Sequence, residues 1–531
     1  MSYFRGTAQL IRLAVRRDRF VLPTWIVLLG SVTCFYYVQF VQLYPSAAER
    51  EALVVATKAN PAWVALAGPL TSSETGALAV WKNSVSVLVL ALAAILTVIR
   101  HGRADEEFGR RELLESTPIG RLAHPTASIA VGVTASIATG LVDAVTLIAV
   151  GAPINGSVLA GAALALVGVV FALVAAAVGE VTQSARTARL VAGGVLAAAF
   201  LLRAAGDTGA ASGRGWLSWL SPLGWANAVD AFGVNKWWVL LLSIGLAVLL
   251  TVTALWLDLA RDIGSGLLQP RAGRATAARS LRSPLALAWR MQRVSLFAWT
   301  ALFVLMGYIV GSSAKSLASM LESSPQFKDL LVRLGGTGAV TDIYDSAVIG
   351  VLGLAAAGYA VQAILRLHAE EEAGRAEPIL ATAVSRSRWA LSHVVIAFGG
   401  AALLLLAYGV AAGWSQNLET RTRWHSLTSL VGASLAQLPA VWLLAAIGLV
   451  LFGFVPKWSM GAWAIYAVVF IVGVIVPTAW PHSRVVELSP FWHIPKLPAA
   501  PMVWTPLIWL AALAVGATLL SLFGLQRRDM R

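Results

Sequence analysis

Charge is what this sequence has least of. Only 12 % of its 531 residues are Asp, Glu, Lys or Arg, against roughly 25 % in an ordinary soluble domain. So little charge cannot cover a soluble globule of this size, and it excludes a disordered chain and a cytosolic enzyme. The one cysteine, Cys34, lies inside an apolar run, which leaves no disulfide and no thiolate metal site. The seven lysines follow Thr57, Trp81, Asn235, Ala314, Phe327, Pro456 and Pro495, so no Gly-Lys dipeptide exists and a Walker A loop is excluded. HExxH, GxSxG and clustered histidines are missing as well.

What is present is apolar sequence: 58 % of the residues, with a mean hydropathy of +0.75. It falls in unbroken runs such as Val87–Ile99, Ala160–Val178 and Trp237–Leu257, so lipid is the solvent for most of the chain. The runs predict an all-α integral membrane protein with twelve transmembrane helices near 21–43, 80–99, 126–150, 158–180, 188–205, 237–258, 295–312, 346–365, 390–413, 427–452, 460–477 and 504–525. The first is too long for a signal peptide and has no small-residue cleavage pattern after it, so it is expected to be retained.

The formal charge of +14 suggests nucleic acid until it is sorted by side. With the N-terminus inside, the inner segments carry 27 Lys and Arg against 14 acids, and the outer segments 13 against 11. Nearly all the excess lies on one side, as the positive-inside rule requires, so both termini are expected in the cytoplasm and no nucleic-acid partner is implied.

The chain reads as one unit repeated. Residues 106–121, EEFGRRELLESTPIGR, align with 371–386, EEAGRAEPILATAVSR, at an offset of 265. Glu106/Glu371, Glu107/Glu372, Gly109/Gly374, Arg110/Arg375, Glu112/Glu377, Thr117/Thr382 and Arg121/Arg386 are identical. Leu220-Ser221-Pro222 echoes Leu488-Ser489-Pro490, Arg261-Asp262-Ile263 echoes Arg528-Asp529-Met530, and Phe4-Arg5 echoes Leu281-Arg282. These echoes predict a first six-span half over 1–263, a linker over 264–284 and a second half over 285–531, as two parallel six-helix repeats.

The segment 2–19 sets Arg5, Arg12, Arg16 and Arg19 beside a stripe of Phe4, Ala8, Ile11 and Val15, an amphipathic lead-in helix at the interface or else the start of the first span. In the acidic motif, Glu three or four positions before Arg supports a short exposed helix. Its recurrence at equivalent places favours docking onto a two-fold partner over catalysis or metal binding. The Trp-rich, Pro-broken stretches Trp216–Trp225 and Leu488–Trp492 fit re-entrant segments before spans 6 and 12, or an aromatic belt. Asp143, the one acid deep in an expected span, reads either as a proton or cation carrier or as a structural hydrogen bond to a neighbouring helix.

Two fused six-span units, amphipathic lead-in helices, an EE-x-GR-x-E motif between spans 2 and 3 of each, and an LSP segment before each sixth span resemble the permease subunit of ABC-2-type ATP-binding-cassette exporters. The likeness is to the fused class grouped with actinobacterial antibiotic, polyketide and multidrug exporters. It implies a bacterial plasma-membrane exporter of hydrophobic or amphipathic small molecules, working by alternating access and driven by two copies of a separate ATPase subunit. ATP and Mg would be held by that partner, with no cofactor in this chain and no enzymatic activity of its own. It implies that Glu106, Glu107, Gly109, Arg110, Glu112 and Arg121 form one ATPase-docking coupling helix, and Glu371, Glu372, Gly374, Arg375, Glu377 and Arg386 the other. Leu113 and Glu115 face Pro378 and Leu380, and Pro118 faces Ala383, so the two couplings are expected to be unequal. The resemblance also places spans 2, 5, 8 and 11 around a cavity, with Phe200, Tyr359, Tyr466 and Phe470 as substrate contacts. The alternative is a proton-coupled major-facilitator-type transporter, whose loop after span 2 is echoed by residues 102–111 with the spacing shifted by one on each side of Asp105.

Overall fold

The computed structural model describes residues 3–58, 61–261, 266, 276, 281–323, 340–420, 425–479 and 484–528. Among the described residues there is no strand, and eleven helices are long and apolar enough to cross a membrane. The chain forms two compact units, Met1–Gly273 and Arg274–Arg531. The linker expected over 264–284 falls almost wholly outside the described residues, as do Asp262, Ile263, Asp529 and Met530.

The first unit begins with α1 (Thr7–Arg17) and α2 (Val21–Leu43). Leu10 and Ala14 of α1 are buried and Ile11 partly so, while Phe4, Ala8 and Val15 of the expected stripe are exposed. Both stripes have the helical period; contact with the small residues Ala123, Ala127 and Ala135 selects the one carrying Leu10 and Ala14. Then come α3 (Ser84–His101), the short α4 (Arg103–Glu107) and α5 (Arg110–Glu115), and α6 (Ala123–Ala149). Helices α7 (Ile154–Val181), α8 (Ala185–Thr208) and α9 (Leu240–Leu259) complete the unit. Helix α7 is apolar all round and packs against α3, α6, α8 and α9, the central position that such a helix requires. Between α8 and α9, turns over Gly215–Leu220 and a helix over Pro222–Ala228 fold back on α8, where Ser221 Oγ donates to the Ala199 carbonyl (2.7 Å).

The second unit opens on α10 (Pro284–Ser323), one continuous helix, with no separate lead-in helix ahead of the seventh span among the described residues. It continues with α11 (Val340–Glu372), the short α12 (Glu377–Leu380), α13 (Arg386–Thr420) and α14 (Leu438–Phe454). It ends with α15 (Gly461–Phe470) and α16 (Trp504–Arg527). Helix α11 runs through the middle, and its core partners include Phe303, Trp389, Tyr408 and Phe452.

The eleventh expected span, 460–477, is the exception: it is a shorter apolar helix, Gly461–Val474. Beyond α15 the chain widens into a π-helix over Ile471–Ile475 before Val476–Ala479. Pro477 has no N–H to return to the preceding turn, so regular α-hydrogen bonding cannot run through this point.

Candidate docking loops and membrane cavities

The two copies of the acidic motif are built alike. In the first, α4 and α5 meet at Gly109, whose φ of 69° is the left-handed conformation that glycine adopts without strain. In the second, α11 and α12 meet at Gly374, with φ 68°. Thr117 Oγ1 donates to the Leu114 carbonyl (2.5 Å), and Thr382 Oγ1 to that of Ile379 (2.6 Å). The matched glycines and threonines therefore serve the turn itself.

The last matched arginines, Arg121 and Arg386, and the first glutamates reach to the end of the last span. Arg121 donates to the carbonyls of Asp258, Leu259 and Arg261 (3.4, 3.0 and 3.1 Å) at the end of α9. Arg386 donates to those of Gln526 and Arg528 (3.4 and 2.5 Å) at the end of α16. Each thus covers carbonyls that a helix C-terminus leaves unpaired. Glu106 is buried and takes a bidentate pair from Arg261 (2.6 and 2.8 Å), and Glu371 is paired with Arg528. In each unit the loop after its second span is therefore tied to the end of its last.

Around Glu106 the tie widens into a buried network. Arg103 lies 3.0 Å and Arg111 3.6 Å from Glu106, Arg111 pairs with Asp258 at 2.9 Å, and Arg261 reaches Glu180 at 2.5 Å. Burial alone pushes the Arg261 guanidinium down, but the hydrogen bonds and charges of Glu106 and Glu180 outweigh it and hold the group above its ordinary pKa. Arg17 of α1 joins at the margin through Asp105 (2.7 Å), which Arg110 also contacts (2.8 Å). Around Glu371 the neighbours among the described residues are fewer: Glu370 pairs with Arg366 and Arg375, both at 3.0 Å, and Glu372 is exposed near His368.

What remains on the surface differs. Glu107 is exposed but accepts the Ala185 N–H (2.8 Å), capping α8. Arg110 and Glu112 are exposed on one side, beside Phe108 and Leu113, which are 72 % and 74 % exposed. In the second loop Arg375 and Glu377 are exposed, and Ala373 and Pro378 occupy the places of Phe108 and Leu113. Arg103, Arg111, Glu180, Asp258, Arg261 and Arg528 were not among the expected site residues. Their signal was the echo of Arg261 in Arg528, which reads in sequence as a basic exit from the membrane.

The four expected substrate contacts fall one in the first unit and three in the second. Phe200 lines a cavity of ≈ 50 Å³ within the first unit, together with Asp143 and Arg203. Tyr359, 1 % exposed, belongs to the core of the second unit and donates to the Ile396 carbonyl (3.3 Å). It also lines a cavity of ≈ 260 Å³ with Gln292, Gln362, Arg366, Met460 and Trp463. Tyr466 stands edge-on to Trp463 (5.6 Å between rings) and beside Phe470 (6.4 Å), which is exposed.

Residues 281–526 match the family described as "Multidrug efflux system permease Rv1217c, C-terminal domain". Over all 531 residues the chain is 41 % identical to the multidrug efflux system permease protein Rv1217c of Mycobacterium tuberculosis (strain ATCC 25618 / H37Rv), covering 96 % of that protein. The chain belongs to this permease family. The loops and cavities described above are thus features of a multi-pass membrane permease, and its matched C-terminal domain spans α10 to α16.

Proposed function

We propose that this permease is the membrane subunit of an ATP-driven multidrug exporter, moving hydrophobic or amphipathic small molecules out of the cytoplasm or inner leaflet of a bacterial plasma membrane by alternating access. Two copies of a separate ATPase subunit bind ATP and Mg and dock on the loops around Gly109 and Gly374, which face the cytoplasm with both termini. The chain works as two parallel six-span repeats, 1–263 and 285–531, joined by the linker 264–284, with residues 460–477 as the eleventh span of twelve.

The observation that carries this reading is the tie in each unit between the acidic loop and the last span, Glu106 to Arg261 and Glu371 to Arg528. A loop so held transmits a push at Phe108, Arg110 and Glu112, or at Arg375 and Glu377, to a membrane-crossing helix instead of absorbing it. The full-length match to an efflux permease supports the direction of transport, and it does not favour the proton-coupled alternative. The test is dye export from vesicles reconstituted with the permease and its ATPase subunit. Export that requires both subunits and ATP is expected; export by the permease alone on a pH gradient overturns the reading.

A further inference from the structure

The small cavity of the first unit has an unusual lining. It is ≈ 50 Å³ in volume and is walled by Asp143 of α6, Thr33 of α2, Phe200 and Arg203 of α8, Asn83 just before α3, and Asn227. That is room for a few water-sized groups, far below the roughly 300 Å³ of the smallest drug pockets. Gly30 brings α2 close here: a Cβ at that position would sit 2.8 Å from the Thr139 carbonyl and from Val142. The approach sets the Thr33 hydroxyl beside Asp143.

Asp143, Thr33, Asn83 and Arg203 are each at least 97 % buried. Asn83 Nδ2 donates to Thr33 Oγ1 (2.8 Å), which leaves the Thr33 proton for Asp143 and the Asn83 carbonyl oxygen with no donor. Asp143 Oδ1 has no donor either. Two acceptor oxygens from different helical segments therefore border one cavity unsatisfied.

The charges point the same way. Arg203 borders the cavity as well: its guanidinium donates to the carbonyls of Ala65 and Leu66 (2.6 and 2.7 Å) and lies 3.9 Å from Asp207 and 4.9 Å from the Phe200 ring, while its Nε has no acceptor. Asp143 makes no ion pair among the described residues. A buried carboxylate without a counter-charge is costly, and what this site lacks is a compact positive group that offers itself to two oxygens.

We propose that this cavity binds a small monovalent cation, an alkali ion or an ammonium group, with Asp143 Oδ1 and the Asn83 carbonyl oxygen as ligands. The site goes beyond the exporter reading and stands without it. The test is thermal unfolding of the full-length permease in nanodiscs, followed by tryptophan fluorescence, with sodium, potassium or methylammonium replacing N-methylglucamine at constant ionic strength. At least one of the three is expected to raise the midpoint by several degrees. Asp143→Asn should abolish the rise, and Asn83→Ala should weaken the apparent affinity several-fold. A response to sodium or potassium identifies an ion site, and a response to methylammonium alone identifies a site for the amine of a substrate. The proposal is overturned if none of the three cations acts on the wild type, if only acidification stabilises it, or if Asp143→Asn responds like the wild type. Should Asp143→Asn fail to fold, an undiminished response in Asn83→Ala overturns it equally.

Discussion

At Glu106 the first unit gathers three arginines, Arg103, Arg111 and Arg261; at Glu371, 265 positions later, the second unit brings Arg528. The backbone turn and the tie to the last span are the same, but their surroundings are not. Around Glu106 the cations are linked onward to Glu180 and Asp258, in side chains almost wholly shielded from solvent. In the second loop, Glu372 and Arg375 reach solvent. Identical contacts therefore differ in what their loss costs, because removing Arg261 strands Glu106, Glu180 and Asp258 together while removing Arg528 strands Glu371 alone.

The sharpest way to break this comparison is to remove the two arginines one at a time. Arg261→Ala should destabilise the permease by about 3–5 kcal/mol, since Glu106 and Glu180 lose their main counter-charge in a buried site. Arg528→Ala should cost less, about 1–3 kcal/mol, because it leaves a single acid, Glu371, without its partner. Thermal unfolding of the full-length protein in detergent measures both, and equal losses would show that the wider network around Glu106 adds nothing.

The surfaces of the two loops make a second contrast. Phe108 and Leu113 give the first loop an apolar knob flanked by Arg110 and Glu112, whereas Ala373 and Pro378 give the second almost none. Exposed aromatic and aliphatic side chains amid charge are what a docking pocket binds most strongly. If the loops dock an ATPase, Phe108→Ala with Leu113→Ala should weaken its capture by about tenfold. Ala373→Ser with Pro378→Ser should change capture by less than about threefold. Comparable losses in a pull-down titration would mean that the two dockings are equivalent.

Much of this was legible in the sequence, for physical reasons that also mark where legibility ends. Apolar runs gave eleven of the helices, because a length of apolar sequence is itself the requirement for crossing lipid. The eleventh expected run is apolar and helical, yet it is wound as a π-helix over Ile471–Ile475, ahead of Pro477, whose missing N–H interrupts the regular α-hydrogen bonds. The matched motif located both loops, yet it did not say that Glu106 is buried or that Arg121 reaches the end of α9. That depends on partners about 140 to 155 residues away, and one sequence does not pair charges across such a distance. Tyr359 shows the same limit: it belongs to the core and lines a cavity at once, and in so apolar a helix the sequence period does not say which.

The smallest effect tests the part of the comparison that should not differ. A Cβ at Gly109 or at Gly374 meets no other atom within 4 Å, so substituting either glycine perturbs the backbone and nothing around it. Both have φ near +69°, and an L-residue held there is strained by about 1–2 kcal/mol. Gly109→Ala and Gly374→Ala should therefore lower stability by the same small amount, read as equal shifts in the thermal midpoint. A larger shift at Gly109 would sharpen the contrast instead of removing it. It would mean that the turn cannot relax without moving Glu106 against its three arginines, so that the buried network, and not the shared backbone, sets how stiffly the first loop is held.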